Sequence, residues 1–361
     1  TGTVYAYAGN VEWRPFSPLR LRGSYARSVR APNLSELYSA QSQNFTPAPN
    51  DPCSARNLAT GSANRVANCN AAGRPADYDY VYGASLEIRS GGNPDLREEK
   101  SDSYTGGFVF TPDFIPGLSI SSDYYDITVK DVITATGTAQ QILNLCYDSA
   151  SLNNPFCGLF QRAGAGGGPR GEQPFRILEG SLLQSTANFA KLKVRGVDTN
   201  VGYRRTFGWG SASVDGTWTR AIQNDTFTNP ADPTFRDRLL GELGNPKNRF
   251  NINTNIKVNG FTFGYQFRYI DGMYLNTYED YNALNGLPPQ NTDYASIVKY
   301  PSVTYSDIRF AVDVNDRFNT YLGIDNVGNK RPPFGATGVG AGSGIYDVRG
   351  RFIYVGAVAK F

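Results

Sequence analysis

Cysteine is the side chain in this 361-residue sequence best suited to covalent chemistry, and it occurs four times. The four fall into two local sets, Cys53 with Cys69 and Cys146 with Cys157, each inside a long polar stretch. Neither set has the Cys-x-x-Cys spacing of a redox or zinc motif, and the chain has no histidine to complete a metal site. Disulfides formed in an oxidising compartment are the expected chemistry. Four cysteines allow three connectivities, and pairing within each local set closes short rings worth about 3 kcal/mol apiece in the chain-entropy model.

The missing histidine also removes Ser-His-Asp and Cys-His triads, so no catalytic, cofactor-binding or metal constellation is expected. Asp225, Asp232, Asp237, Glu279 and Asp280 offer oxygens for calcium but lack EF-hand spacing. The glycine-rich stretches 164–168 and 338–344 neither follow a strand nor open a helix, and no Gly-Lys-Ser/Thr accompanies them, which argues for loops rather than a phosphate cradle. Tyr78, Tyr80, Tyr82, Tyr274, Tyr278 and Tyr281 could stack on a sugar ring or an aromatic chelate, and the same rings could equally pack loops or form an aromatic girdle. A net charge of +3 leaves no nucleic-acid footprint.

Strands must position these groups, because the chain alternates two kinds of residue over and over. Phe261, Phe263, Tyr265, Phe267 and Tyr269 share one face, against Thr262, Gly264, Gln266 and Arg268 on the other. Phe250, Ile252, Thr254, Ile256 and Val258 oppose Asn251, Asn253, Asn255 and Lys257 in the same way. No stretch reaches the roughly eighteen apolar residues of a membrane helix, whereas stretches of about ten alternating residues suit a tilted membrane strand. About eleven such strands are expected, near 3–14, 19–30, 101–111, 118–129, 191–207, 211–222, 247–258, 261–271, 300–314, 318–325 and 351–361. Short turns alternate with long loops at about 31–100, 130–190, 223–246, 272–299 and 326–350. A soluble sandwich has no reason to keep that rhythm, and a transmembrane antiparallel β-barrel does. Within the second loop, residues 138–147 read as a short helix.

Several segments resemble the TonB-dependent outer-membrane receptor family. They are Leu21-Arg-Gly-Ser-Tyr-Ala-Arg-Ser-Val-Arg-Ala-Pro-Asn-Leu-Ser-Glu-Leu-Tyr38, Gly92-Asn-Pro-Asp-Leu-Arg-Glu-Glu-Lys100 with Glu98 where proline is usual, Arg195-Gly-Val-Asp-Thr-Asn200, and Gly323-Ile-Asp-Asn-Val-Gly-Asn-Lys-Arg-Pro-Pro333. The last strand is similar to the outer-membrane sorting signal, with Tyr354, Gly356, Ala359 and Phe361 at its positions.

The resemblance implies an all-β fold in which about eleven strands form half of a 22-stranded barrel, residues 1–361 being the C-terminal half of the receptor barrel and the plug lying outside this chain. It implies energy-coupled uptake of a bulky, scarce ligand, an oligosaccharide, iron chelate or cobalamin, with the stapled loops leaning toward carbohydrate. The implied partners are an N-terminal half bearing the plug and remaining strands, the TonB-ExbB-ExbD complex acting through that plug, and outer-membrane lipid or lipopolysaccharide. The expected location is the bacterial outer membrane, with the long loops extracellular. Arg20, Arg22, Asn251 and Asn253 would face the lumen as ligand or plug contacts, together with loop rings such as Tyr78, Tyr80, Tyr82, Tyr274 and Tyr278. A passive porin, or an adhesin or enzyme anchored by a barrel, would use the same wall without the motifs.

Overall fold

The computed structural model describes residues 3–232, 234–275, 277, 289, 299–333 and 344–360. Eleven strands form the path of one antiparallel sheet, each paired with its neighbours in the chain. They are β1 (Tyr7–Phe16), β2 (Leu19–Arg30), β3 (Glu99–Phe110), β4 (Leu118–Ala135), β5 (Thr186–Phe207), β6 (Gly210–Phe227), β7 (Asn248–Val258), β8 (Phe261–Ile270), β9 (Val303–Asp313), β10 (Phe318–Asp325) and β11 (Phe352–Ala359). Among the described residues β1 pairs only with β2 and β11 only with β10, so the wall is an open sheet.

Register sorts the side chains into two surfaces. One line of partners runs Trp13, Leu21, Phe108, and farther round Trp218, Phe250 and Tyr269; the adjacent line runs Glu12, Arg22, Gly107, Asp123 and Asp198. The first surface is apolar and bare, with Val11 67%, Phe261 62% and Val355 78% exposed. Its rings touch across strands, Trp218 to Phe250 at 5.9 Å and Phe263 to Phe310 at 5.0 Å. A contiguous apolar surface of this size belongs against lipid, and the polar surface lines the interior.

The wall strands expected from alternation are all present, and β2 and β10 have the expected limits. β3 starts two residues early at Glu99, and three strands run much farther toward the long loops than expected: β4 continues to Ala135, β5 starts at Thr186 and β6 continues to Phe227. Beyond the lipid band their faces stop alternating, and a bulge at Asp131 (φ 56°) shifts the register, so the pattern faded before the hydrogen bonds did. β9 starts at Val303 rather than Tyr300 because Pro301 cannot donate to the ladder; Lys299–Tyr300 pairs instead with Met273–Tyr274. The turn of β7 into β8 needs positive φ at both centres and has it at Asn259 (46°) and Gly260 (86°).

All short turns lie on one side of the sheet. The strand ends that open and close the long connections, 31–98, 136–185, 228–247, 271–302 and 326–351, are on the other.

Candidate ligand-capture surface

The first two long loops fold on each other into a single body, here called the dome. Helix α1 (Leu34–Tyr38), helix α2 (Arg65–Ala71) and a short strand Ser42–Thr46 come from the first loop, and helix α3 (Ala139–Asp148) from the second. The expected helix at 138–147 is α3, started by Thr138, whose hydroxyl accepts from the Gln141 amide while Gln141 bonds back. Sequence patterning did not reveal the dome's three-stranded sheet, in which Leu86–Ser90 pairs antiparallel with Ser42–Thr46 and parallel with Leu182–Gln184 from the other loop. The disulfides are Cys53–Cys69 and Cys146–Cys157, one within each loop. One apolar core then joins the loops, with Leu86 and Ile88 from the first against Ile142, Leu143, Phe156 and Ile177 from the second.

A buried ion pair sits at the centre of this weld. Asp51, with no side-chain exposure, accepts two hydrogen bonds of 2.8 Å from the Arg162 guanidinium, one of 2.9 Å from the Cys53 amide and one of 2.7 Å from the Tyr78 hydroxyl. Arg162 also donates to Tyr147 Oη at 2.6 Å and the Phe175 carbonyl at 2.8 Å, and its guanidinium lies 4.4 Å from the Phe175 ring centre. Burial alone would raise the Asp51 carboxyl, but Arg162, the Cys53 amide and Tyr78 outweigh it and hold it below the usual carboxylate range. A second pair, buried Arg65 with half-buried Asp148 at 2.6 Å, ties α2 to α3.

Tyr78 and Tyr82, expected as rings for stacking on a ligand, are 8% and 5% exposed and belong to the dome core. Tyr80 is half-buried, edge-on to Tyr82 at 4.9 Å and 5.1 Å from the Arg176 guanidinium. Large apolar rings with one polar tip serve packing when a buried acceptor such as Asp51 is at hand. Burial pushes the phenols of Tyr78, Tyr82 and Tyr147 above their ordinary value, with the Asp51 charge adding to it. A raised phenol stabilises the fold fully below the ordinary pKa of about 10, and that contribution is lost as pH rises through the higher folded value. The depressed Asp51 works in the opposite sense, stabilising fully above about pH 3.9 and losing its effect as pH falls through its lower folded value. The dome should therefore hold from about pH 4 to about pH 10. An alkaline titration followed by tyrosinate absorbance should show these three rings ionising late and together, as the dome opens; early, independent ionisation would contradict their burial.

A clasp at the base of the dome explains two of the sequence motifs. Arg30 bridges Glu36 of α1 at 3.1 Å and Glu99 of β3 at 2.6 Å. Asn33 caps α1 in a reciprocal box with Glu36. The Gly92 and Asn93 amides donate to the carbonyls of Ser39 and Glu36 at 2.9 and 2.8 Å. A Cβ on Gly92 would lie 2.6 Å from the Leu37 backbone, so this close approach requires glycine.

The interior surface carries the other expected contacts. Arg20 lies 3.7 Å from Glu12, and Arg22 forks onto Asp123 with one bond of 2.7 Å, passing over Gly107, whose missing side chain leaves the room. Asn251 and Asn253 sit on the interior face of β7, and Asn251 accepts from Gln266 at 3.1 Å. Alternation had already placed Arg268 on that face; it pairs with Asp307 at 3.0 Å and lies 5.0 Å from the Tyr305 ring. Arg309 lies 4.4 Å from the Tyr321 ring. Tyr305 accepts from the Asp347 amide at 3.0 Å, and beside it Tyr346 is 3% exposed; nothing in the sequence of loop 326–351 had singled out Tyr346. Tyr274 is half-buried, 5.7 Å from the Lys299 ammonium, with its amide donating to Gly241. Tyr278 and Phe361 lie outside the described residues.

At the last ladder Tyr321 lies over Gly356 and Tyr354 over Gly323, so that a Cβ on either glycine would strike a ring. This interlock gives Tyr354 and Gly356 a packing role in the wall. Ala359 pairs with Phe318 at the strand's end.

A family model for the β-barrel of TonB-dependent receptor-like proteins matches residues 1–327. No curated protein sequence matches. Among solved structures, the chain is similar to a variant of the ferric enterobactin receptor of Pseudomonas aeruginosa, at 15% identity and TM-score 0.59, covering 99% of this chain and 40% of that one. Another variant of that receptor, in complex with enterobactin, gives 16% and 0.59 over 99% and 40% of the two chains. A siderophore receptor of Acinetobacter baumannii gives 14% and 0.56 over 100% and 41%. At these identities the likeness is one of fold, and the chain spans about two fifths of the solved receptors' length.

Proposed function

The chain belongs to the TonB-dependent receptor family, and from that premise we propose that it supplies wall and capture loops for energy-coupled uptake of a bulky anionic iron chelate across the bacterial outer membrane. The family is one of outer-membrane receptors and transporters, not of enzymes. In this reading the long-loop side faces the outside and the short turns face the periplasm. Further strands pair with β1 and β11 to close a barrel of about twenty-two, as the C-terminal half of the receptor. A plug in the remainder of the receptor answers to TonB-ExbB-ExbD.

The observation that carries the reading is the dome, two long loops each stapled by its own disulfide and welded to each other by an ion pair and a common core on the side opposite the short turns. A passive porin has no use for such a body. For the ligand, Arg249, Arg268 and Arg309 share the interior face with Tyr305, Tyr321 and Tyr354, which suits a large anion carrying aromatic rings. The enterobactin complex of the Pseudomonas receptor is in keeping with that choice. Whole receptor should therefore bind a ferric catecholate in preference to cobalamin or a malto-oligosaccharide when the three are compared by intrinsic fluorescence quenching. Preference for the sugar or the corrin would replace the iron-chelate reading while leaving the receptor reading intact.

A further inference from the structure

A cleft of about 340 Å³ opens on the dome along the seam between its two loops. Asn50, Asn57, Thr60 and Arg65 line it from the first loop, and Gln140 and Asn144, one turn apart on α3, from the second. Its one charge is already matched, since Asp148 holds Arg65 at 2.6 Å. No aromatic ring borders the cleft. What remains is a wall of carboxamides, each carrying a donor and an acceptor in one plane.

One of those carboxamides shows what the wall can hold. Gln140 grips the backbone of Asn50 at both ends, its Oε1 accepting from the Asn50 amide at 2.7 Å while its Nε2 donates to the Asn50 carbonyl at 2.9 Å. Asn144 stands beside it with half of its capacity in use. Its Oδ1 accepts from Gln140 at 3.1 Å and from Arg65 at 3.4 Å, and its Nδ2 has no partner among the described residues. Asn57 is the complement: its Nδ2 donates to the Asp51 carbonyl at 2.8 Å and its backbone carbonyl accepts from Arg65 at 3.0 Å, which leaves Oδ1 without a partner among the described residues. Both residues are tied to one guanidinium, and together they offer one donor and one acceptor to the cleft. Neither free atom is sealed in packed protein.

We propose that this cleft binds a short, uncharged oligopeptide through its backbone. A guest carbonyl accepts from Asn144 Nδ2 and a guest N–H donates to Asn57 Oδ1, repeating the grip that Gln140 has on Asn50. A sugar fits less well, because the cleft lacks a ring for it to stack on. A charged guest fits less well too, because the Arg65 charge is spent on Asp148. The site belongs to the dome and not to the interior wall, so it is separate from the iron-chelate reading.

The test uses the whole receptor in deuterated detergent micelles, with binding read by saturation-transfer NMR and Kd by titration. The probe is tetra-alanine blocked by acetyl and amide groups. Wild type should transfer saturation to this peptide, and the same peptide N-methylated at every residue should receive none, having lost the N–H that Asn57 accepts. Asn144→Asp keeps the acceptor for Gln140 and Arg65 but exchanges the free donor for an acceptor, and should bind the probe about tenfold more weakly. Equal resistance of 31–98 and 136–185 to limited proteolysis in variant and wild type separates a lost hydrogen bond from a lost dome. Should the variant be cut, the N-methylated peptide decides the matter on wild type alone. Absence of transfer to the alanine peptide, equal binding of its N-methylated form, or an unchanged Kd in Asn144→Asp would overturn the site. Displacement of the peptide by maltotriose at equal concentration would overturn the peptide assignment in favour of a sugar.

Discussion

Replacing Arg162 with alanine should open the dome while leaving the barrel wall intact. The change strands a fully buried Asp51 carboxylate and frees the aromatic pocket of Tyr147 and Phe175. Removing one partner from a buried pair costs about 3–5 kcal/mol, because the remaining charge keeps its desolvation penalty and loses its counterion. Asp51→Ala should be as damaging, since it leaves the guanidinium buried among rings and also removes the acceptor of the Tyr78 hydroxyl and the Cys53 amide. The double change Asp51→Leu with Arg162→Met should recover much of the loss, because an apolar pair of similar volume has no charge to strand. Limited proteolysis of the whole receptor reads the result. The single variants should be cut within 31–98 and 136–185 under conditions where wild type and the double variant are not, with cold detergent mobility of the barrel unchanged. Protection of both single variants would show that the ion pair does not hold the loops together.

The wall was legible in the sequence because each membrane strand must satisfy two solvents at once. Phe261 to Tyr269 and Asn251 to Lys257 announce opposite faces, and register then brings those faces into line across β7 and β8. The dome was not legible, because its contacts join residues far apart in the chain. Asp51 and Arg162 are 111 residues apart, and neither stands in a periodic pattern that marks it. Tyr78 and Tyr82 show the same difficulty, since a tyrosine in a polar loop reads alike whether it awaits a ligand or packs beneath a neighbouring loop. The disulfide pairing was easier, each partner being close in sequence. The Arg22–Asp123 fork lay between, as alternation gave the face but only register revealed that Gly107 clears a path across β3.

Uptake itself should vanish without an energy source. In the proposed reading, the folded dome above a lumen lined by Arg249, Arg268 and Arg309 captures the ligand, which then passes only when the plug is moved. Diffusion through an open pore would behave differently, rising with outside concentration and ignoring TonB. The most direct measurement is accumulation of a radioiron-labelled ferric catecholate by cells carrying the whole receptor, with TonB present or deleted. The account predicts saturable accumulation in the first strain and surface binding without accumulation in the second. Equal accumulation in both strains would contradict it and return the wall to the role of a passive pore.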